Sequence, residues 1–144
     1  MTGRQINYEE VEVGQEIPGY NLELDSLRMS LQTSGSQDFN APHHDVEYIR
    51  STGVPDIFVN TGFTRACLER VITDWMGDEG WLRKLSFRMK RMNMPGDIMT
   101  CKGKITKKFL KDDDHFVECD VWVENQREGV TTEATATVIL PSAA

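Results

Sequence analysis

Four runs in the second half of the chain alternate apolar and polar residues with period two. In RKLSFRMKR (83–91), Leu85, Phe87 and Met89 alternate with Ser86, Arg88 and Lys90. From 97 to 110, Met99, Cys101, Ile105 and Phe109 share one parity, and Lys102, Lys104, Thr106 and Lys108 take the other. Val117, Cys119, Val121 and Val123 alternate with Glu118, Asp120, Trp122 and Glu124, and Val130, Ala134, Ala136, Val138 and Leu140 mark a last run. Period two predicts strands with one parity buried and the other toward solvent or a subunit contact. KDDDH (111–115) and NQREG (125–129) separate the last three runs and predict hairpin connections, so the sheet is largely antiparallel. The middle of the chain changes period. Phe63, Ala66, Cys67, Val71 and Trp75 recur at spacings of three and four, widened by Leu68 and Ile72, and predict a helix over 61–76. Asn60 or Thr61 caps its start and Gly77 fits its end. A helix this apolar needs cover on most sides, which a curved sheet supplies. The segment 22–35 carries both signals. Leu27, Met29 and Leu31 alternate, yet Asp25 or Ser26 can cap a short helix ending at Gly35, and helix is the expectation. With the helix and the four runs, an N-terminal strand completes the expected α+β architecture, a long central helix wrapped by a curved antiparallel sheet.

At 144 residues, the expectation is one domain over 1–144, large enough to fold without staples. No uncharged apolar run approaches a membrane span. MTGRQINYEEVEVG lacks the apolar core of a signal peptide. Cys67, Cys101 and Cys119 are odd in number and lack paired or metal spacing, which argues against a disulfide framework and a zinc ribbon and favours a cytoplasmic location.

The net charge of −7 hides a separation. Residues 82–111 hold ten Lys and Arg against Asp97 alone, and the rest of the chain is strongly acidic. A basic sheet face on an acidic protein fits an anionic small ligand or an acidic partner, and it fits solvated strand lysines equally well. Nucleic acid is not expected, because the acidic remainder repels a polyanion.

Two of the three histidines fall in DFNAPHHD (38–45), a polar stretch between two apolar elements. Three readings fit it. Asp38 and Asn40 can be turn formers and Asp45 a helix cap, with both histidines merely exposed. The histidines can be metal ligands, but adjacent residues in an extended segment point to opposite sides and no third ligand is spaced for the task. Asp38 and His43 can instead converge on one water as an acid–base pair.

DFNAPHHDVEYIRSTG resembles the hydratase motif of MaoC-like dehydratases, the (R)-specific enoyl-CoA hydratases of the hot-dog fold. Asp38, Asn40, His43 and Asp45 fall at matching offsets of a loop that reads roughly D-x-N-P-x-H-x-D in the family. NTGFT (60–64), PGD (95–97), the Asn-x-x-x-Gly hairpin and the terminal Leu140-Pro141 extend the likeness over most of the chain. HHD, DIFVN (56–60) and TDW-x-G (73–77) are similar to a subgroup, the small subunits of actinobacterial enoyl-CoA hydratases of steroid side-chain degradation, which pair with a second MaoC-like subunit. The chain departs from the pattern at Ala41-Pro42, where proline comes one position late. It departs again at Thr61-Gly62, where the family has His-Gly.

The resemblance implies hydration of a trans-2-enoyl-CoA to a 3-hydroxyacyl-CoA, with Asp38 and His43 handling the water, Asn40 orienting Asp38, and the Gly62 N–H polarising the thioester oxygen. It implies no metal or redox cofactor, since coenzyme A is part of the substrate. It implies a homodimer or a hetero-oligomer with a second MaoC-like subunit. Arg83, Arg88 and Arg91 are the candidates to meet the phosphates of coenzyme A. A hot-dog acyl-CoA thioesterase and a non-catalytic acyl-CoA-binding subunit are the alternatives, and the Asp38/His43 pair argues against both. His44 faces a partner or solvent, and His115 sits on an acidic hairpin at the surface. Met89, Met92, Met94 and Met99 fill core or subunit contacts.

Overall fold

The computed structural model describes residues 4–144. One five-stranded antiparallel sheet, in the order β1-β3-β4-β5-β2, comprises β1 (Glu16–Glu23), β2 (Trp81–Met89), β3 (Ile98–Lys111), β4 (Asp114–Asn125) and β5 (Gly129–Leu140). Three helices precede β2: α1 (Ser26–Ser36), α2 (Val46–Ser51) and α3 (Thr61–Met76). The helix expected over 61–76 and all four expected strand runs are present. The ambiguous segment resolves as the end of β1 followed by α1, whose N-cap is Asp25. The short α2 follows Asp45, in line with the reading of that residue as a helix cap.

Helix α3 packs against all five strands. Cys67, Leu68, Val71, Ile72 and Trp75 meet Met99, Cys101, Ile105, Val117, Cys119, Val121, Val123, Ala136 and Val138 in one continuous core. This is the hot-dog arrangement. Asn60 Oδ1 accepts the Phe63 N–H at 2.7 Å and caps α3, and Gly77, at φ 78°, ends it. Two members of the apolar stripe depart from expectation. Ala66 is exposed and Phe63 only half-buried, because that flank of α3 lines an open cavity beside α1 rather than the sheet. Among the described residues, no helix is long and apolar enough to cross a membrane.

Both hairpins lie where the turn residues put them. Asp112 and Asp113 take φ of 52° and 67°, the left-handed pair that a two-residue hairpin loop needs. Asn125 Oδ1 accepts the N–H groups of Arg127 and Glu128 at 3.0 and 2.7 Å and closes the second turn.

The parity expected along β3 fails in its second half. A register shift between Ile105 and Lys107 flips the strand, so Lys108, not Phe109, lies opposite the buried Val117. Lys108 Nζ then donates to the Val11 carbonyl at 2.6 Å and sits over the Tyr8 ring, while Phe109 stacks on Phe116. Met94 and Met99 are buried as expected, whereas Met92 is exposed.

The single basic sheet face also needs correction. β3 and β2 are separated by β4 and β5, so the ten cations do not share one patch. Cross-strand acids answer three of them: Lys102 pairs with Glu124 at 2.5 Å, Lys90 with Glu133 at 2.6 Å, and Lys104 lies opposite Asp120. The outer face is a ladder of alternating charge.

Candidate active site

The chain leaves α1 through Gln37, whose left-handed backbone (φ 54°) turns it abruptly into Asp38. Residues Ala41–His43 form a single 3-10 turn with Pro42 inside it, and Asp45 caps α2 by accepting the Tyr48 N–H at 2.9 Å. The capping role foreseen for Asp45 is therefore real. The turn folds the loop back, so Asp38 and His43 meet across it. Their Oδ2 and Nε2 atoms are 3.4 Å apart. The Thr33 hydroxyl on α1 donates to the His43 carbonyl at 3.3 Å and ties the loop to the helix.

Each partner is oriented by a further bond. Asn40 Nδ2 donates to Asp38 Oδ1 at 2.7 Å, which leaves Oδ2 to face the histidine. On the other side of the ring, His43 Nδ1 lies 2.8 Å from the Phe58 carbonyl. A carbonyl only accepts, so Nδ1 carries the hydrogen, and in the neutral ring Nε2 presents its lone pair to Asp38. The Phe58 ring meets the imidazole edge-on and covers it. The His43 side chain is 12% exposed and Asp38 28%, so the pair opens to solvent on the carboxylate side.

Two acceptors facing each other at 3.4 Å leave no room between them and call for a donor seated beside the pair, within reach of both. A water that donates one hydrogen to each meets that need, and a proton can leave it toward either group. The arrangement is thus built to hold and deprotonate a small hydroxylic molecule.

His44 takes no part. Its Nε2–H donates to the Phe39 carbonyl at 2.8 Å, on the exposed side of the loop. His115, expected at the free surface, packs edge-on against Tyr8. Among the described residues, no group of three His, Cys, Asp or Glu side chains could hold a metal ion.

Gly62 lies in the first turn of α3, where an added Cβ would meet Asn60 and Ser36 at 3.6 Å. Asn60 Nδ2 donates to Ser36 Oγ at 2.6 Å and the Asn60 N–H donates to Gln32 Oε1 at 3.2 Å, which pins the start of α3 to the end of α1. Gly62 lines a cavity of about 420 Å³ between those helices, with Arg28, Leu31, Gln32 and Phe63. The first N–H groups of a helix have no partner within it, so this amide is a free donor at the positive helix end.

The three arginines are scattered. Arg83 sits over the Trp81 ring, Arg91 lies 3.7 Å from Glu128, and Arg88 borders a groove of about 600 Å³ on the outer face with Lys104, Asp120, Trp122 and Glu133. That groove does not include Asp38 or His43, and it is not the place where the chemistry converges.

Of the three buried thiols, Cys119 and Cys101 are held protonated, whereas the Cys67 thiol is lowered, chiefly by its hydrogen bond from Cys101, and stays sealed in the core. Burial pushes the Cys119 thiol up to about 12, so it stays protonated at neutral pH. The Cys101 thiol is likewise raised, chiefly by its hydrogen bond to Cys67 and by burial.

No protein-family model matches the chain. It is 28% identical over 94 residues to the 3-oxo-4,17-pregnadiene-20-carboxyl-CoA hydratase beta subunit of Mycobacterium tuberculosis, a stretch covering 65% of this chain and 73% of that protein. In three dimensions it is similar to the ChsH1–ChsH2 complex from Mycobacterium tuberculosis, with a TM-score of 0.80, 25% identity, and coverage of 90% of this chain and 98% of that one. It also superposes on the R-hydratase PhaJ1 from Pseudomonas aeruginosa, with a TM-score of 0.84, 22% identity, and coverage of 99% and 90%. A MaoC-like dehydratase from Rhodospirillum rubrum matches with a TM-score of 0.79, 17% identity, and coverage of 96% and 99%. The fold is that of the hot-dog hydratases. The resemblance to the MaoC-like proteins carried by DFNAPHHD, and to a steroid side-chain hydratase subunit, is borne out by these relatives.

Proposed function

We propose that the protein is an enoyl-CoA hydratase that adds water across the 2,3 double bond of a trans-2-enoyl-CoA. The observation that carries this reading is the Asp38–His43 pair, held 3.4 Å apart with each member separately oriented, by Asn40 and by the Phe58 carbonyl. Similarity to named hydratases supports it.

In the proposed reaction the pair holds one water over C3. An O–H bond of the water breaks toward the pair and a C3–O bond forms. The π electrons of the double bond move into the thioester, which becomes enolate-like. A proton from the pair then closes the new C2–H bond, so one water is consumed and the pair returns to its starting state. The Gly62 N–H, at the positive end of α3, is the proposed donor to the developing oxyanion. The chemistry moves only water and protons, and coenzyme A enters as part of the substrate.

A two-subunit form of the same reading is favoured by a specific observation. One relative is named a beta subunit, and one structural neighbour is a complex of two chains. We place this chain in such a hetero-oligomer, acting on a bulky acyl group, with Arg83, Arg88 and Arg91 as the residues to meet the nucleotide. Incubation with a short straight-chain and a steroid-sized enoyl-CoA, with and without the second subunit, tests both parts. The product expected is the substrate plus one water, by mass. Release of free coenzyme A would instead identify a thioesterase.

A further inference from the structure

The carbonyl that sets the His43 ring has its own support, and that support runs away from the site. The Phe58 N–H donates to the Pro42 carbonyl at 3.2 Å, and the next N–H, that of Val59, donates to the Asn93 carbonyl at 3.0 Å. Asn93 lies outside every helix and strand, yet it is 1% exposed. Its side chain is gripped at both ends. Nδ2 donates to Thr131 Oγ1 at 3.1 Å, and Oδ1 accepts from Asn125 Nδ2 at 2.9 Å. Behind it stands the buried Asp97, which accepts from Arg127 Nη2 at 2.9 Å, Arg127 Nε at 3.1 Å and the Met94 N–H at 2.8 Å.

From this chain of contacts we infer that Asn93 is a positioning residue for His43, acting through the main chain of Val59 and Phe58. The need for such support follows from the pair itself. The alternative tautomer, with hydrogen on Nε2, would donate to the Asp38 carboxylate in a charge-assisted bond. That tautomer removes the acceptor that faces the water. Only a well-placed Phe58 carbonyl holds the hydrogen on Nδ1, and hydrogen bonds weaken steeply once misaligned. Few side chains suit position 93. The grip needs a donor toward Thr131 and an acceptor toward Asn125 on one short side chain, which asparagine supplies. The consequence for turnover rests on the proposed hydration, whereas the tautomer itself does not.

Long-range proton–nitrogen correlation spectra of protein carrying nitrogen-15 histidine, recorded with the rings neutral, read the tautomer directly. Wild type is expected to show His43 as the Nδ1–H form alone. Asn93→Ala should populate the Nε2–H form and lower kcat roughly ten- to a hundredfold with KM nearly unchanged, as displacement of a catalytic group does. Thr131→Val, which removes the acceptor of the Asn93 amide, should show the same tautomer shift to a smaller extent. A folded Asn93→Ala that keeps the pure Nδ1–H form overturns the inference, as does a wild type that lacks it. If Asn93→Ala does not fold, an unshifted Thr131→Val overturns it by the same criterion. A tautomer that shifts in Asn93→Ala, in a protein with no hydration activity, would leave the positioning role standing and remove the hydratase reading.

Discussion

At His43 the decisive neighbour is a backbone carbonyl fifteen residues away, and no pattern of side chains announces it. The residue types of the pair were legible in DFNAPHHD because an acid–base site needs a carboxylate and an imidazole that can meet across a turn. The role of Asn40 came from the family resemblance, since by its residue type alone it reads equally well as a turn former, and its amide reaches Asp38 from two positions away. Phe58 and Asn93 were not legible, because any residue supplies a carbonyl and only the fold decides which one arrives. The direction of His44 follows from the 3-10 turn, which sends its ring to Phe39 while the His43 ring goes to Phe58. His44→Ala is therefore expected to keep most of the turnover, and Asn40→Ala to lose a moderate part of it, both measured as initial rates on one enoyl-CoA. If His44→Ala is inactive while His43→Ala hydrates normally, the roles assigned to the two rings are reversed.

Among the elements, α3 was the most legible, because its apolar period, cap and terminal glycine all agree. Asn60 does more than cap it, since the same side chain also ties α3 to α1 through Ser36. Asn60→Ala should cost about 1–2 kcal/mol in urea unfolding, the upper part of the range for a lost N-cap. A loss below the error of the measurement would show that the α1–α3 junction is held by packing alone. β3 was the least legible. One extra residue near Thr106 reverses the faces of the rest of the strand, and period-two reading has no means to see a bulge. A second irregularity lies on β1, between Ile17 and Tyr20, where a Cβ on Gly19 would come within 2.2 Å of the Cys101 carbonyl oxygen. Gly19→Ala is thus expected to push β1 off β3 and to unfold at markedly lower urea. Wild-type stability in that variant would mean that the backbone shifts freely there.

For the whole molecule, the charge separation seen along the chain does not survive folding as a patch, because strand order distributes it. Lys102, Lys90 and Arg91 are paired to Glu124, Glu133 and Glu128. If Arg83, Arg88 and Arg91 meet the nucleotide of coenzyme A, their replacement by alanine raises KM more at low salt than at high salt. An unchanged KM at both would make them ordinary surface residues. The sheet ends in the edges of β1 and β2, and an unpaired edge is a template for another chain. Light scattering is expected to give a dimer or a larger even assembly, and an active monomer at micromolar concentration would refute that. The central claim is that Asp38 and His43 together carry the hydration. Its most direct measurement is the hydration rate of Asp38→Asn and of His43→Ala beside wild type, in the same assembly and with thermal unfolding recorded on each. The account predicts a loss of about 10²–10⁴-fold in each variant with unfolding little changed. Full activity in both variants would contradict it and move the chemistry to another chain.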